Sequence, residues 1–210
     1  TSLLANLGLY DKSRTEELLL TVREEAERLD RFVGNLLDMS RLEAGALGVK
    51  SEWVDVGEMV DAALQRLARR LAGHHVVQEI PSDLPFAKAD PLLLEQALVN
   101  LLDNAAKYAP VGSTITVHGE VDARKIALSI ADEGPGIPDT ELSHIFDKFY
   151  RARKGDSGAA GTGLGLSVAR GFVEAFGGTL SADNRKGARG AVFTLTMPVG
   201  EKPGEGDHGK

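Results

Sequence analysis

The stretch that decides the fold of this chain is Asn100-Leu-Leu-Asp-Asn104-Ala-Ala-Lys107-Tyr108. Two later segments belong with it: Asp132-Glu-Gly134-Pro-Gly136-Ile137-Pro138 and Gly161-Thr-Gly163-Leu-Gly165-Leu166. Each segment alone has an ordinary explanation, as a polar helix face, a turn or a loop. Their order and spacing favour one explanation for all three, and the composition of the chain limits what it can be.

The composition is that of a globular protein of one or two domains, with 210 residues, 42% hydrophobic and 26% charged. A net charge of −7 argues against a nucleic-acid partner. The absence of cysteine excludes disulfides, thiolate metal sites and cysteine nucleophiles. The 5 histidines show no metal-ligand spacing. No apolar run approaches the roughly 18 residues that indicate a membrane span.

A long helix is predicted over residues 14–44, and Gly45 is a typical stop signal. Apolar side chains recur there at steps of three and four residues, at Leu18, Val22, Ala26, Leu29, Val33, Leu36 and Leu37. A helix of this length with a narrow apolar stripe needs another helix as its partner.

Residues 1–9 are typical of the last turns of an earlier helix, with a connecting turn at residues 10–13. Two such helices cannot bury their apolar faces alone, so a dimeric four-helix bundle is favoured. The alternative is a helical hairpin that packs on the rest of this chain. We therefore expect a dimerisation hairpin over residues 1–45, with its first helix truncated.

From Ser51 onward, strands and helices alternate. Strands are predicted at 52–54, 75–80, 86–89, 114–120, 125–131, 179–182 and 191–197; helices are predicted from Asp55 to about Leu71, from Pro91 to Tyr108, shortly after Pro138, and over 164–176. Together they predict an α+β protein in which the hairpin precedes an α/β sandwich, with one mixed sheet covered by helices on one face. We expect this second domain over residues 51–198 and a flexible tail over 199–210.

The helix at 91–108 has a second face besides its apolar stripe. Asn100 and Asn104 lie four residues apart there, and Lys107 and Tyr108 follow Asn104 by three and four residues. Asparagine is a poor helix former, which indicates a task for this face. Amide oxygens suit Mg²⁺, lysine suits phosphate, and a tyrosine ring can cover a base. A solvated polar face is the alternative.

Asp132 directly follows an alternating strand. A carboxylate at such a strand end can accept a hydrogen bond from an exocyclic amine such as adenine N6. Gly134 and Gly136 remove side chains where the backbone must turn and approach a flat ring. An ordinary turn between a strand and a helix is the alternative.

Glycine is concentrated between Gly155 and Gly165, where a helix begins. Mobile backbone followed by a helix N-terminus is a lid-like arrangement that attracts phosphate, with a loose surface loop as the alternative. No Gly-Lys-[Ser/Thr] follows, so this is not a Walker loop. Before it, Ile145-Phe146-Asp-Lys148-Phe149-Tyr150-Arg151 offers aromatic anchors, and Lys148 and Arg151 could reach phosphates.

With these motifs in place, the chain resembles the catalytic core of a bacterial sensor histidine kinase, within the gyrase/Hsp90/histidine-kinase/MutL ATPase fold. The segments resemble the N box, the G1 box, the F box and the G2 box, and residues 36–45 resemble the end of the dimerisation hairpin. A finer likeness to the potassium-responsive Kdp-type sensor kinases lies in Glu52-Trp53, His75-Val76, residues 80–85 and residues 107–110.

The resemblance implies a cofactor, Mg-ATP, and a role for each matching residue. Asn104 would ligate Mg²⁺, Asn100 would support the phosphate side, and Lys107 and Arg151 would contact phosphates. Tyr108 would contact the nucleoside and Asp132 would bind adenine N6, while Gly134, Gly136 and Ile137 would line the base pocket. The end of the lid would bind phosphate through Gly161, Thr162, Gly163, Leu164, Gly165 and Leu166.

One feature of the family is absent: the phosphoacceptor motif His-[Glu/Asp]-Leu-Arg-Thr-Pro-Leu. The neighbouring histidines His74 and His75 lie near a strand and fit a structural or surface role. No residue of this chain is therefore assigned as the catalytic acceptor. We expect the chain to be a fragment whose acceptor lies upstream of Thr1; a degenerate kinase without an acceptor is the alternative.

The resemblance implies transfer of the ATP γ-phosphate to a histidine and then to a response-regulator aspartate. The expected partners are a second copy of the chain and a response regulator, and the expected location is a cytoplasmic domain of a bacterial inner-membrane protein. Two other functions stay open. One is a hydrolytic ATPase of the same fold, which would need a glutamate where this chain has Asn100; the other is a non-catalytic nucleotide-binding dimerisation module.

Overall fold

The computed structural model describes residues 12–122, 124–151 and 162–199. Its first element is helix α1, Lys12–Glu43, and Gly45, two residues after the helix, has the left-handed conformation with φ +60°. The predicted long helix is thus confirmed, beginning two residues earlier than expected. The predicted helix at residues 1–9 lies outside the described residues, as does the tail from residue 200.

Most of the apolar stripe of α1 is open to solvent. Leu29 is 62% exposed and Val33 is 50% exposed. Its C-terminal end packs on the rest of the chain, where Met39 is buried and Leu42 lies against Gly171. The exposed part of this stripe remains available for another helix.

The remaining elements follow the predicted order. They are β1 Glu52–Val54, α2 Val56–Arg66, α3 Ala68–Leu71, β2 His75–Glu79, β3 Ala87–Ala89, α4 Pro91–Tyr108, β4 Thr114–Asp122, β5 Lys125–Ala131, α5 Gly165–Ala175, β6 Thr179–Asn184 and β7 Ala191–Pro198. None of the helices in these described ranges combines the length and apolar character that a membrane crossing requires.

The strands form two sheets, so the prediction of one mixed sheet is wrong. Five strands pair in the order β2-β4-β5-β7-β6, with β2 and β4 parallel and the other neighbours antiparallel. The three-residue strands β1 and β3 instead pair with each other as a separate antiparallel ribbon. Strands this short carry no periodicity that reveals their partners.

Two helix predictions also need correction. The helix predicted from Asp55 to Leu71 breaks at Leu67, whose backbone leaves the helical region at φ −100° and ψ 8°. Asp55 does cap its start, since its side chain accepts a hydrogen bond from the Glu58 amide at 3.2 Å. After Pro138 the chain forms consecutive turns up to residue 147 instead of a regular helix.

The core positions α4 over the five-stranded sheet. Its stripe is fully buried, at Leu94, Leu98, Leu101, Leu102 and Ala105. Alternate residues of β5 bury the facing side of the sheet, at Ile126, Leu128 and Ile130. Asp90 fixes the start of α4, because its Oδ1 accepts from the amides of Leu92 and Leu93 at 3.0 and 3.1 Å. Burial of the apolar stripe turns the polar face of α4 away from the sheet.

Candidate functional site

One cavity of about 810 Å³ collects most of the predicted site residues. Its walls come from α4, from the segment after β5 and from the start of α5. Twelve of the fifteen residues predicted for nucleotide binding line it: Asn100, Asn104, Lys107, Tyr108, Asp132, Gly136, Ile137, Arg151, Thr162, Gly163, Gly165 and Leu166.

Two further predicted residues, Gly134 and Leu164, do not line the cavity. Gly134 is buried against the backbone of Tyr108. Leu164, the residue immediately before α5, is fully buried. Gly161 lies outside the described residues. The cavity has one wall that the sequence did not suggest, because Gly34, Asn35 and Asp38 of α1 also face it.

The polar face of α4 presents two side-chain amides to the cavity. Asn100 and Asn104 are partly buried, and neither amide has a hydrogen-bond partner within the described part of the chain. Gly165 begins α5 opposite them, where a Cβ atom would lie 3.6 Å from Asn100 Oδ1. Free amide oxygens beside a helix N-terminus suit a magnesium-bound phosphate group.

Magnesium would depend on few protein ligands at this site. Within the described ranges, no cluster of three histidine, aspartate or glutamate side chains could hold a metal ion. Mg²⁺ commonly binds through one or two protein oxygens and completes its shell with phosphates and water. The unpartnered amide of Asn104 therefore fits a metal that arrives with a phosphate ligand.

Lys107 and Tyr108 interact with each other at the mouth of the cavity. Lys107 Nζ donates a hydrogen bond to the Tyr108 hydroxyl at 3.2 Å and lies 4.7 Å from the centre of its ring. Tyr108 is 39% exposed, so its ring is accessible from the cavity. The ammonium group thus remains near the surface, where a phosphate can compete for it.

Asp132 is buried at the end of β5, with 3% of its surface exposed. Its Oδ1 accepts hydrogen bonds from the amides of Gly134 at 2.7 Å and Ala191 at 3.3 Å. Burial raises the pKa of Asp132 above its ordinary value; the two amides and the Arg185 guanidinium oppose that rise. Because both bonds end on Oδ1, Oδ2 is left to accept a donor from a ligand.

Glycine is required around Asp132 by contacts within the protein. A Cβ atom on Gly134 would lie 2.8 Å from Tyr108 O, and one on Gly190 would lie 1.8 Å from Asp132 O. Gly136 has φ +80°, and a Cβ atom there would lie 2.8 Å from Asn184 Oδ1. Gly134 and Gly136 are predicted above to admit a flat ring; the close approaches in the structure are to protein atoms.

The end of β6 and the loop that follows it supply residues that the sequence does not indicate. Arg185 Nη1 donates to Asp132 O at 3.3 Å and lies 3.6 Å from Glu133 Oε1. Glu133 Oε2 accepts from the Thr114 amide at 3.0 Å, and Asn184 contacts the backbone of Ile137. Apart from glycines typical of a turn, residues 183–190 carry no sequence signal that connects them to Asp132.

In the aromatic segment at 145–151, one phenylalanine packs against the core and another is exposed to solvent. Phe146 packs edge-on against Phe193 with ring centres 6.4 Å apart, which supports the predicted anchor. Phe149 is instead 61% exposed and has a left-handed backbone with φ +61°. Lys148 forms an ion pair with Glu43 at the end of α1 and does not line the cavity, so the suggestion that it reaches phosphates is not supported.

Comparison with known proteins assigns this arrangement to a family. Residues 89–201 match the family described as histidine kinase-, DNA gyrase B- and HSP90-like ATPase, which is more than half of the chain. The chain belongs to this ATPase family. The matched range contains the polar face of α4, Asp132 and the start of α5, so the candidate site lies within the ATPase domain.

Similar curated proteins are sensor histidine kinases. The chain is 36% identical to sensor protein KdpD of Clostridium acetobutylicum over 199 residues, and the alignment covers 94% of this chain and 22% of that protein. It is 38% identical to KdpD of Escherichia coli over 182 residues, covering 87% and 20%. The chain thus spans about a fifth of the length of these relatives.

Solved structures agree with this assignment. The mycobacterial sensor histidine kinase MprB superposes with a TM-score of 0.63 at 30% identity, covering 73% of this chain and 100% of that one. Full-length ShkA in complex with AMPPNP gives a TM-score of 0.74 at 25% identity, covering 89% and 39%. This chain therefore carries the histidine kinase-type ATPase domain of sensor kinases, with an α+β fold and an ATP-binding function.

Proposed function

We propose that this chain is the Mg-ATP-dependent kinase core of a two-component sensor. It would deliver the γ-phosphate to a protein histidine, which would pass it to a response-regulator aspartate. One observation carries the proposal: the same cavity holds the Asp132 carboxylate at the end of β5 and the Asn100 and Asn104 amides of α4, which have no hydrogen-bond partner among the described residues. These groups match the two ends of ATP, phosphate and adenine.

At the adenine end, the protein supplies a fixed acceptor. Asp132 Oδ1 is held by two backbone amides, so Oδ2 would accept a hydrogen bond from the exocyclic amine. Ile137 and Gly136 would lie against the base, since both line the cavity. A base that carries a carbonyl oxygen at that position would meet the carboxylate with a lone pair and would bind more weakly than adenine.

At the phosphate end, the protein supplies positive charge and backbone donors. Lys107 and Arg151 would neutralise phosphate oxygens, and the first amides of α5 would donate hydrogen bonds to them. Asn104 would hold Mg²⁺, which when bound offsets negative charge on the phosphates. Holding the triphosphate in line for attack is the main task of a phosphoryl-transfer site.

A hydrolytic ATPase is the less favoured reading of the same site. In the related ATPases a glutamate on the α4 helix activates water, and this chain has Asn100 there, which cannot act as a base. The neighbouring Asp103 lines the cavity but is engaged by Arg70.

The partners follow from the proposed reaction. We propose that a second copy of the chain binds along the exposed apolar stripe of α1, and that a response-regulator receiver domain accepts the phosphate. We further propose that the complete protein is a membrane sensor of the bacterial inner membrane, as its sensor-kinase relatives suggest.

The experiment that tests this proposal measures transfer of label from γ-labelled Mg-ATP. The chain itself is compared with a version extended upstream of Thr1 by a few tens of residues. Acid-labile label on the extended protein alone is the expected result, since phosphohistidine is acid-labile and the acceptor is expected upstream. Binding of ATP without label on either protein would contradict the kinase and favour a nucleotide-gated binding module.

A further inference from the structure

We propose that Asn184 is a positioning residue for adenine recognition, although it lies on β6 and does not line the cavity. This inference rests on the proposed ATP-binding function and adds a residue to its machinery. Asn184 Oδ1 accepts a hydrogen bond from the Ile137 amide at 2.7 Å, and Asn184 Nδ2 donates one to Ile137 O at 2.7 Å.

The two bonds make the side chain of Asn184 act as a neighbouring strand would. It satisfies both backbone polar groups of Ile137, a residue outside any helix or strand. Only one orientation of the amide achieves this, because its oxygen must face the N–H and its nitrogen must face the carbonyl. Aspartate, serine or alanine at this position could not make the same pair of bonds.

Further contacts hold the turn from Asp132 to Pro138 against β6, β7 and the loop between them. Gly136 approaches Asn184 so closely that a Cβ atom would lie 2.8 Å from Asn184 Oδ1. At the other end of the turn, Asp132 donates its amide to Ala191 O at 3.0 Å, and Arg185 donates to Asp132 O at 3.3 Å. The β6–β7 hairpin therefore contacts the turn at both ends and holds it in place.

These contacts determine the orientation of the Asp132 carboxylate, which is the proposed hydrogen-bond acceptor for adenine. The Gly134 amide, which holds Asp132 Oδ1 at 2.7 Å, belongs to the turn that Asn184 fastens through Ile137. Without Asn184 two partly buried backbone groups of Ile137 lose their partners and the turn can shift, taking the Gly134 amide with it. The Asp132 carboxylate then loses its fixed orientation, so its bond to an exocyclic amine weakens more than contacts elsewhere on the nucleotide.

The test compares two nucleotides that differ at the atom in question. ATP carries an exocyclic amine, whereas inosine triphosphate carries a carbonyl oxygen at the same position. Both are titrated calorimetrically, with magnesium present, against wild type, Asn184→Ala, Asn184→Asp and Ser181→Ala. Ser181 is exposed on the same strand and serves as the matched control. Thermal unfolding of each variant reports whether the fold is kept.

We expect Asn184→Ala to weaken ATP binding about tenfold and inosine triphosphate binding far less, so that the preference for ATP shrinks. Asn184→Asp keeps the acceptor for the Ile137 amide but loses the donor, and should reduce the preference while retaining the fold. Ser181→Ala should match wild type. If Asn184→Ala does not fold, the ratio of ATP affinity to inosine triphosphate affinity in Asn184→Asp tests the positioning role instead.

An unchanged ratio of the two affinities would overturn the positioning role, whether both affinities stay at the wild-type value or both fall together. A wild type that binds neither nucleotide would instead overturn the proposed function itself, and this inference with it. The two failures are therefore distinct in the same data set.

Discussion

The Phe149 amide donates a hydrogen bond to Gly163 O at 3.0 Å, which joins the aromatic segment to the start of α5. The two backbones meet so closely that a Cβ atom on Gly163 would lie 2.7 Å from Phe149 C and Tyr150 O. Both residues have left-handed φ values, +71° for Gly163 and +61° for Phe149. This junction is one wall of the cavity, because Tyr150 and Gly163 both line it.

Gly163→Ala should therefore lower both stability and ATP affinity. The new methyl group meets backbone atoms that cannot rotate away, so we expect a loss of about 1–3 kcal/mol in the free energy of unfolding. Gly177→Ala is the matched control: Gly177 has φ +87° but open space around its Cβ position, and should cost about 1 kcal/mol. Urea unfolding of both variants measures the difference, and equal losses would refute the close-contact argument.

Asp132→Asn should separate binding from stability. Burial raises the pKa of Asp132 above 3.8 in the folded chain, so the folded state holds the proton more tightly than the unfolded state. The free energy of unfolding then falls as pH rises from 3.8 through the folded pKa, and at neutral pH the wild type bears the cost of a buried charge. Asparagine keeps an oxygen for the Gly134 and Ala191 amides and carries no charge.

We accordingly expect Asp132→Asn to be at least as stable as wild type at pH 7, with the advantage vanishing below about pH 4. Its ATP affinity should fall, since the amide can present an N–H to the exocyclic amine. Urea unfolding at several pH values and calorimetric titration with ATP measure the two effects. A variant that is less stable at pH 7 and binds ATP normally would contradict both parts.

Asn104→Ala should remove the magnesium dependence of ATP binding. The alanine cannot ligate a metal, while Asn104→Asp keeps an oxygen and serves as the conservative control. Titration with ATP in the presence and absence of Mg²⁺ gives the readout. We expect the enhancement by magnesium to survive in the Asp variant and to disappear in the Ala variant; its persistence in both would show that Asn104 is not a ligand.

Lys148→Ala should leave ATP affinity unchanged, whereas Lys107→Ala should reduce it. Lys148 pairs with Glu43, and both side chains are about half exposed, so their ion pair contributes at most about 1 kcal/mol. Lys107 lines the cavity. Binding of the two variants, measured at one ionic strength, distinguishes the two cations. A loss of ATP affinity in Lys148→Ala would place that side chain nearer the phosphates than its ion pair indicates.

The double variant Leu29→Glu/Val33→Glu should weaken self-association of the chain. Both side chains lie exposed on the stripe of α1 that we propose as the dimer face. Glutamates there bring like charges together in an apolar contact. Sedimentation at micromolar concentration should show a dimer for wild type and for the control Glu16→Ala, and a monomer for the double variant. A monomeric wild type would argue against this face unless upstream residues complete it.

Some of this structure follows from local sequence. The polar face of α4 was predictable because Asp90-Pro91 marks its start and its apolar stripe identifies the buried side. Asp132 was predictable because it ends an alternating strand. The role of Asn184 was not, because it reaches Ile137 through strand pairing that brings together residues 47 positions apart. The break at Leu67 has no glycine or proline to announce it.

The contacts of the β6–β7 hairpin with Asp132 have a consequence for how the protein is made. The Ala191 amide joins Asp132 across 59 positions, so a nascent chain carries its adenine acceptor long before the partner that fixes it. A ribosome must release residues 184–191 before the base end of the cavity can close. ATP would then stabilise this domain only after residues 184–191 have left the ribosome.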